Sequence, residues 1–324
     1  MSVCVSSVKE ATAPPAVIVR LAAPRGFCAG VERAVRTVEE ALSAFGAPVF
    51  VRHEIVHNAH VVNRLKSMGA VFVEDLAEVE EGRPVIFSAH GAPRTAYDEA
   101  NARALLAIDA TCPLVLKVHN EVRRHAASGR HVILIGHAGH PETIGTMGHA
   151  PRGAVTLIET VVEAEQIAPP GGPLAYATQT TLSVNDAAAI IAVLKRRFPA
   201  IEGPRRSDIC YATQNRQEAV KLISPGADVV FVVGSPQSSN SVRLVEAALS
   251  AGAAHALLVD DPALVDLSSF ESAKIIGVTS GASAPEYLVE ALLKRLAERR
   301  PIKIETVEHV REEIVFKQPM LMAS

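Results

Sequence analysis

Short runs rich in Val and Ile alternate with amphipathic or Ala-rich stretches along almost the whole chain. The runs predict strands at Val17–Leu21, Val49–Val51, Val71–Val73 and Val85–Phe87, then at Ile108–Ala110, Val132–Ile135, Val155–Ile158 and Leu174–Ala177. A last group falls at Val229–Val233, Ala256–Val259 and Ile275–Val278. Apolar runs that do not alternate with polar residues, and that are separated by helical stretches, are the pattern of parallel strands buried on both faces. After Cys28 the apolar positions Val31, Ala34, Val35, Val38 and Leu42 trace one helix face. After Cys112, Pro113 suits a first helical position and Val115, Val118 and Val122 continue the face. The stretch after Cys210 is weaker, with Ala212, Ala219, Val220 and Ile223.

This alternation predicts an α/β protein made of three similar small α/β domains with mostly parallel sheets, at 17–112, 113–210 and 211–300. An arm at 1–16 and a tail at 301–324 flank them. Several predicted strands end in small polar or glycine-bearing turns: Ser88–Gly91, Gly136–His140, Thr178–Thr181, Gly234–Asn240 and Thr279–Ser283. Ligands of open α/β sheets sit beyond the carboxyl ends of the strands, so these turns are expected near one site.

Composition narrows the function classes. The 324 residues are 48% hydrophobic and 21% charged with a net charge of −3, a balance that gives no support to nucleic acid or acidic membranes as partners. No apolar run approaches the ~20 residues that span a bilayer. Met1–Pro15 lacks the apolar core of a signal peptide and reads as a flexible polar arm in which Cys4 is a bystander. The expected setting is the cytoplasm, where spaced cysteines favour metal binding or catalysis over disulfides.

Cys28, Cys112 and Cys210 each close a short apolar or turn segment and open a helical one. A helix start favours a thiolate, and three of them could hold zinc with one open position or an iron–sulfur cluster with one iron free of protein ligands. His57, His90, His137 and His140 stand at strand ends, His90 and His140 in glycine-bearing turns, and Ser238, Ser239, Asn240 and Ser283 add hydroxyl and amide groups suited to a phosphate or diphosphate. Glu142 is a candidate proton donor, with Thr180 or its neighbour Thr181 beside it. His53-Glu54-Ile55-Val56-His57 matches the H-E-x-x-H pattern of zinc hydrolases, although it directly follows a predicted strand. Neither a phosphate-binding G-x-x-x-x-G-K-[ST] loop nor a G-x-G-x-x-G turn is present.

Taken in order, nine segments resemble the LytB/IspH family of 4-hydroxy-3-methylbut-2-enyl diphosphate reductases. They are P-R-G-F-C-A-G-V at 24–31, V-R-H-E-I-V-H-N at 51–58, F-S-A-H-G at 87–91, D-A-T-C-P-L-V at 109–115 and I-G-H-A-G-H-P-E at 135–142. T-Q-T-T-L-S-V at 178–184, D-I-C-Y-A-T-Q-N-R-Q at 208–217, S-S-N-S at 238–241 and G-A-S-A-P at 281–285 complete the set. The resemblance implies a trefoil-like arrangement of the three domains around one 4Fe-4S cluster held by Cys28, Cys112 and Cys210, its fourth iron open to the substrate hydroxyl. It implies a diphosphate pocket of His57, His90, His140, Thr180, Ser238, Ser239, Asn240 and Ser283, with Glu142 delivering a proton and Thr180 as its hydroxyl partner. The activity implied is reductive dehydroxylation of the allylic diphosphate to isopentenyl and dimethylallyl diphosphates, the last step of the non-mevalonate isoprenoid route. Ferredoxin or flavodoxin would be the electron donor. Two alternatives remain at this point: a non-catalytic iron–sulfur redox sensor, and a zinc hydrolase using His53 and His57. The tail around Val310–Phe316 resembles the family's closing segment but diverges from it, which leaves its lid-like role open.

Overall fold

The computed structural model describes residues 16–321, so Cys4 and nearly all of the N-terminal arm lie outside the described residues. The strands are β1 (Val17–Ala23), β2 (Val49–Arg52), β3 (Ala70–Val73), β4 (Pro84–Phe87), β5 (Leu106–Asp109) and β6 (His131–Ile135). They continue with β7 (Val155–Ile158), β8 (Leu174–Thr178), β9 (Val229–Val233), β10 (Ala256–Val259), β11 (Ile275–Ser280) and β12 (Ile302–Glu308). The helices are α1 (Ala29–Phe45), α2 (Ala59–Ser67), α3 (Arg94–Ala102), α4 (Pro113–Ala127) and α5 (Pro141–Met147). After them come α6 (Val161–Gln166), α7 (Val184–Arg197), α8 (Tyr211–Ile223), α9 (Ser239–Ser250) and α10 (Glu286–Arg299). Among the described residues no helix is long and apolar enough to cross a membrane.

Three sheets result, with strand orders β3-β2-β4-β5, β7-β6-β8 and β10-β9-β11-β1-β12. Every strand pair in them is parallel. Each sheet is covered on both faces, which is why its strands read as unbroken apolar runs. In the first sheet, α1 and α2 pack on one face through Ala34, Val38 and Leu65, and α3 on the other through Ala96 and Ala100. α7 and α4 do the same for the second, through Leu194 and Val118. For the third sheet, Leu292 of α10 and Val220 of α8 fill opposite faces.

The sheets depart from the sequence division at both ends of the chain. Val17–Ala23, read with the first unit, pairs with β11 and β12 in the third sheet. Ile302–Glu308, read as tail, is the edge strand beside β1. Lys303, Glu305 and Glu308 interrupt its apolar residues and none of its positions is fully buried, so it lacks the unbroken Val/Ile run that marks the others. One consequence organises the molecule. Cys28 lies between β1 of the third sheet and α1 on the first. Cys112 lies between β5 of the first sheet and α4 on the second. Cys210 follows the stretch bridged to β8 of the second sheet at Glu202 and precedes α8 on the third. The chain thus carries a cysteine at each of its three passages from one sheet to the next.

Candidate active site

One cleft receives all three passages. Cys28, Cys112, Cys210, His57, His90, His140, Glu142, Thr180, Ser238, Ser239, Asn240 and Ser283 all line it. Most of these residues stand just past a strand: Cys28 after β1, His57 after β2, His90 after β4, Cys112 after β5, His140 and Glu142 after β6. Thr180 follows β8, Ser238–Asn240 follow β9 and Ser283 follows β11, as expected for sites at the carboxyl edge of parallel sheets.

The three cysteines are the N-caps of α1, α4 and α8 and are free thiols. The Thr213 amide donates to Cys210 Sγ at 3.4 Å and the thiol donates to Thr213 Oγ1 at 3.2 Å. Burial, then the nearby Cys28, pushes the Cys112 thiol up to about 12 and the Cys210 thiol up to about 11. Thiolates at Cys112 and Cys210 without a cation are therefore unfavourable, whereas a cationic group beside them would deprotonate them as it bound. Among the described residues no three His, Cys, Asp or Glu side chains converge closely enough to hold a single metal ion. The three thiols line one common space. Gly30 contributes to that space. A Cβ there would stand 2.7 Å from Cys112 Sγ and 3.8 Å from Cys28 Sγ.

The imidazoles form a second group. The His57 and His90 rings stack with centroids 4.1 Å apart, and His140 meets them edge-on at 5.4 and 5.8 Å. Burial, followed by His57 and His140, holds His90 well below the ordinary imidazole value. Burial, then His57, lowers His140 to about 3. His140 Nδ1 accepts the Glu142 amide at 3.1 Å, which leaves Nε2 to carry the proton of the neutral ring. His57 Nε2 and both amide atoms of Asn240 are buried without a hydrogen-bond partner among the described residues. Polar atoms buried unsatisfied are rare and costly, and in a cleft they mark where a ligand would bond. Ser283 Oγ donates to the His57 carbonyl at 3.2 Å, and Ser239 Oγ to the Thr181 carbonyl at 2.9 Å.

Glu142 is 2% exposed. It accepts the Thr180 amide at 2.6 Å on Oε1 and the Thr180 hydroxyl at 3.0 Å on Oε2. Burial raises its carboxyl to about 7 against the opposing pull of those two bonds. It is Thr180, not Thr181, that meets the carboxylate, although Thr181 also lines the cleft.

The H-E-x-x-H segment does not make a zinc site. Residues 53–58 form an irregular turn and α2 starts only at Ala59, so the two histidines do not share a helix face. His53, with φ of 58°, turns its ring to Glu74, while His57 Nδ1 bonds Glu54 at 3.1 Å. His137 lies outside the cleft lining and bonds Gln179 through its ring and its amide. Sequence reasoning passed over Gly30 and Thr213, whose only signals are a missing side chain two residues after Cys28 and a hydroxyl three residues after Cys210.

The family described as "LytB protein" matches residues 19–297. A curated relative from Hyphomonas neptunium, named 4-hydroxy-3-methylbut-2-enyl diphosphate reductase, is 55% identical over 313 residues, covering 96% of this chain and 99% of its own. One of the same name from Gluconobacter oxydans is 56% identical over 306 residues, covering 93% and 91%. The solved E-1-hydroxy-2-methyl-but-2-enyl-4-diphosphate reductase from Plasmodium falciparum superposes with a TM-score of 0.90 at 39% identity, covering 94% of this chain and 96% of that one.

Proposed function

The chain belongs to the LytB family, and from that premise we propose that it reduces 4-hydroxy-3-methylbut-2-enyl diphosphate to isopentenyl and dimethylallyl diphosphates. Two electrons and two protons enter, the C–O bond to the allylic hydroxyl breaks, and water leaves. The chain is an oxidoreductase of isoprenoid biosynthesis acting on a diphosphate substrate, and the family carries an iron–sulfur cofactor. Neither the sensor nor the zinc-hydrolase alternative is supported.

In this reading Cys28, Cys112 and Cys210 hold a 4Fe-4S cluster with one iron lacking a protein ligand. When bound, that group supplies electrons one at a time and a Lewis acid for the substrate hydroxyl. The chain's own residues do the rest. His57, His90, His140, Thr180, Ser238, Ser239, Asn240 and Ser283 take the diphosphate, whose binding energy holds the hydroxyl in place. Glu142, protonated near neutral pH, gives a proton to the departing oxygen, and the Thr180 hydroxyl fixes the orientation of its carboxyl. A cytoplasmic setting and a ferredoxin or flavodoxin donor belong to the same proposal.

The observation that carries this reading is the arrival of three thiols, three imidazoles and a clamped, burial-shifted carboxyl in one cleft from three sheets. Protein purified without oxygen is expected to contain iron and sulfide, and its reduced spectrum to change when the diphosphate alcohol is added. Stoichiometric zinc without iron would sink the reading.

A further inference from the structure

Each cysteine caps a helix that carries a basic residue a little further on: Arg33 and Lys117 five residues after Cys28 and Cys112, and Arg216 six after Cys210. Each of the three reaches the backbone just before another cysteine. Arg33 donates to the Thr111 carbonyl at 3.0 Å and the Asp109 carbonyl at 3.3 Å, on the approach to Cys112. Lys117 donates to the Arg206 and Ser207 carbonyls at 2.9 and 3.2 Å and to Asp208 Oδ1 at 2.9 Å, on the approach to Cys210. Arg216 donates to the Gly26 carbonyl at 2.8 Å, on the approach to Cys28. The helix of Cys28 thus holds the Cys112 turn, that of Cys112 holds the Cys210 turn, and that of Cys210 holds the Cys28 turn.

Arg33 and Arg216 lie in the interior, and the Lys117 side chain is 29% exposed. Arg216 and the Asp208 side chain are fully buried, and Asp208 Oδ2 also takes the Thr178 amide at 3.0 Å. Lys117 has three ammonium donors and meets three oxygens with them. The C-terminal segment fastens two of the three residues. Glu312 pairs with Arg216 at 3.0 Å, and the Lys317 carbonyl accepts Arg33 Nε at 2.8 Å.

We infer that Arg33, Lys117 and Arg216 are positioning residues that set the mutual spacing of the three thiols, and that residues 312–317 lock two of them. The inference rests on the iron–sulfur reading for its purpose. Its geometry concerns the chain alone. Charge-assisted bonds are strong and directional, and those of Arg33 to Thr111 and of Arg216 to Gly26 are buried, so each clasp fixes one passage against the next.

The test compares Lys117→Met, Lys117→Arg and a core control, Val122→Ala, in the same helix. In cluster-free protein, crosslinking of neighbouring thiols by dibromobimane reports their spacing, and a melting curve reports the fold. Anaerobic reconstitution with ferrous iron and sulfide then gives iron per chain and the paramagnetic spectrum of the reduced protein. Lys117→Met is expected to slow crosslinking about threefold or more, to lower iron per chain and to broaden the spectrum. Lys117→Arg should restore all three, and Val122→Ala should lower the melting temperature while leaving crosslinking unchanged. Wild-type crosslinking and spectrum in Lys117→Met would overturn the inference, and so would equal losses in Val122→Ala at matched melting temperature. A wild-type protein that takes up no iron would overturn the proposed function instead, and the crosslinking order would still judge the clasps.

Discussion

Glu142 and Thr180 meet at two points: the Thr180 amide bonds one carboxylate oxygen at 2.6 Å and the Thr180 hydroxyl bonds the other at 3.0 Å. The pair joins the turn after β6 to the turn after β8, so the acid is held by backbone as well as by a side chain. Glu142→Gln keeps the size and the acceptor for the amide but cannot deliver a proton. Turnover of the diphosphate alcohol is expected to fall by about 10²- to 10⁴-fold, with iron content unchanged. Thr180→Val removes only the hydroxyl contact and is expected to cost less. Single-turnover reduction measured beside iron analysis separates loss of chemistry from loss of cofactor.

The same carboxyl gives the cluster-free protein a pH signature. Burial raises it from the ordinary carboxyl value of 4.5 to about 7 in the folded chain. Below 4.5 both folded and unfolded chains are protonated and nothing is lost. Between 4.5 and 7 the unfolded chain ionises while the folded one does not, so stability falls as pH rises, and the loss is complete above 7. A shift of this size corresponds to about 3 kcal/mol. Urea unfolding should show Glu142→Gln gaining on the wild-type chain by an amount of that order between pH 4.5 and pH 8. Parallel pH curves for the two proteins would contradict the burial of a protonated acid.

How much of this was readable beforehand depended on what leaves a mark in the letters. The Val/Ile runs were read as strands because sheets covered on both faces need apolar residues at every position, as in Val229–Val233. The cysteine, histidine and serine turns were readable because polar side chains after such runs have few structural uses. Sheet membership was not: nothing in Val17–Ala23 tells whether it pairs with β2 or with β11. Arg33, Lys117 and Arg216 left no signal either, since a basic residue on an amphipathic helix ordinarily reads as a solvated face. Their partners are backbone carbonyls, which every residue has.

Asn240 should separate binding from stability. Both of its amide atoms are buried without partners among the described residues, so its side chain is a burden on the empty protein. Asn240→Ala is expected to leave urea stability within about 1 kcal/mol of wild type, or above it. Its affinity for the diphosphate should weaken by roughly tenfold or more, the value of a lost bond to a charged group. A stability loss of several kcal/mol would instead mean that the amide has a structural role.

Diphosphate binding should also take up protons. Among the described residues no Lys or Arg lines the cleft, and burial keeps His90 and His140 neutral at pH 7. A polyanion entering it raises imidazole basicity, because opposite charge favours the protonated ring. Calorimetry of the cluster-free protein with inorganic pyrophosphate, in buffers of differing ionisation enthalpy, should show net uptake, and affinity should weaken as pH rises from 6 to 8. An enthalpy independent of buffer would mean that neutral donors carry the anion alone.

Gly30 tests the space between the thiols. It is the second residue of α1, where alanine is the better helix former by up to about 1 kcal/mol, so Gly30→Ala should not destabilise the cluster-free chain through its backbone. The added methyl would nevertheless stand 2.7 Å from Cys112 Sγ, closer than such atoms approach. Rotation of the Cys112 side chain relieves that clash at little cost, and it also carries the sulfur away from the common space. The variant is therefore expected to melt at or above the wild-type temperature while retaining several-fold less iron after anaerobic reconstitution. Measuring both on one preparation distinguishes the two effects. Full iron loading in Gly30→Ala would show that the Cys112 thiol does not need the position it occupies beside Gly30.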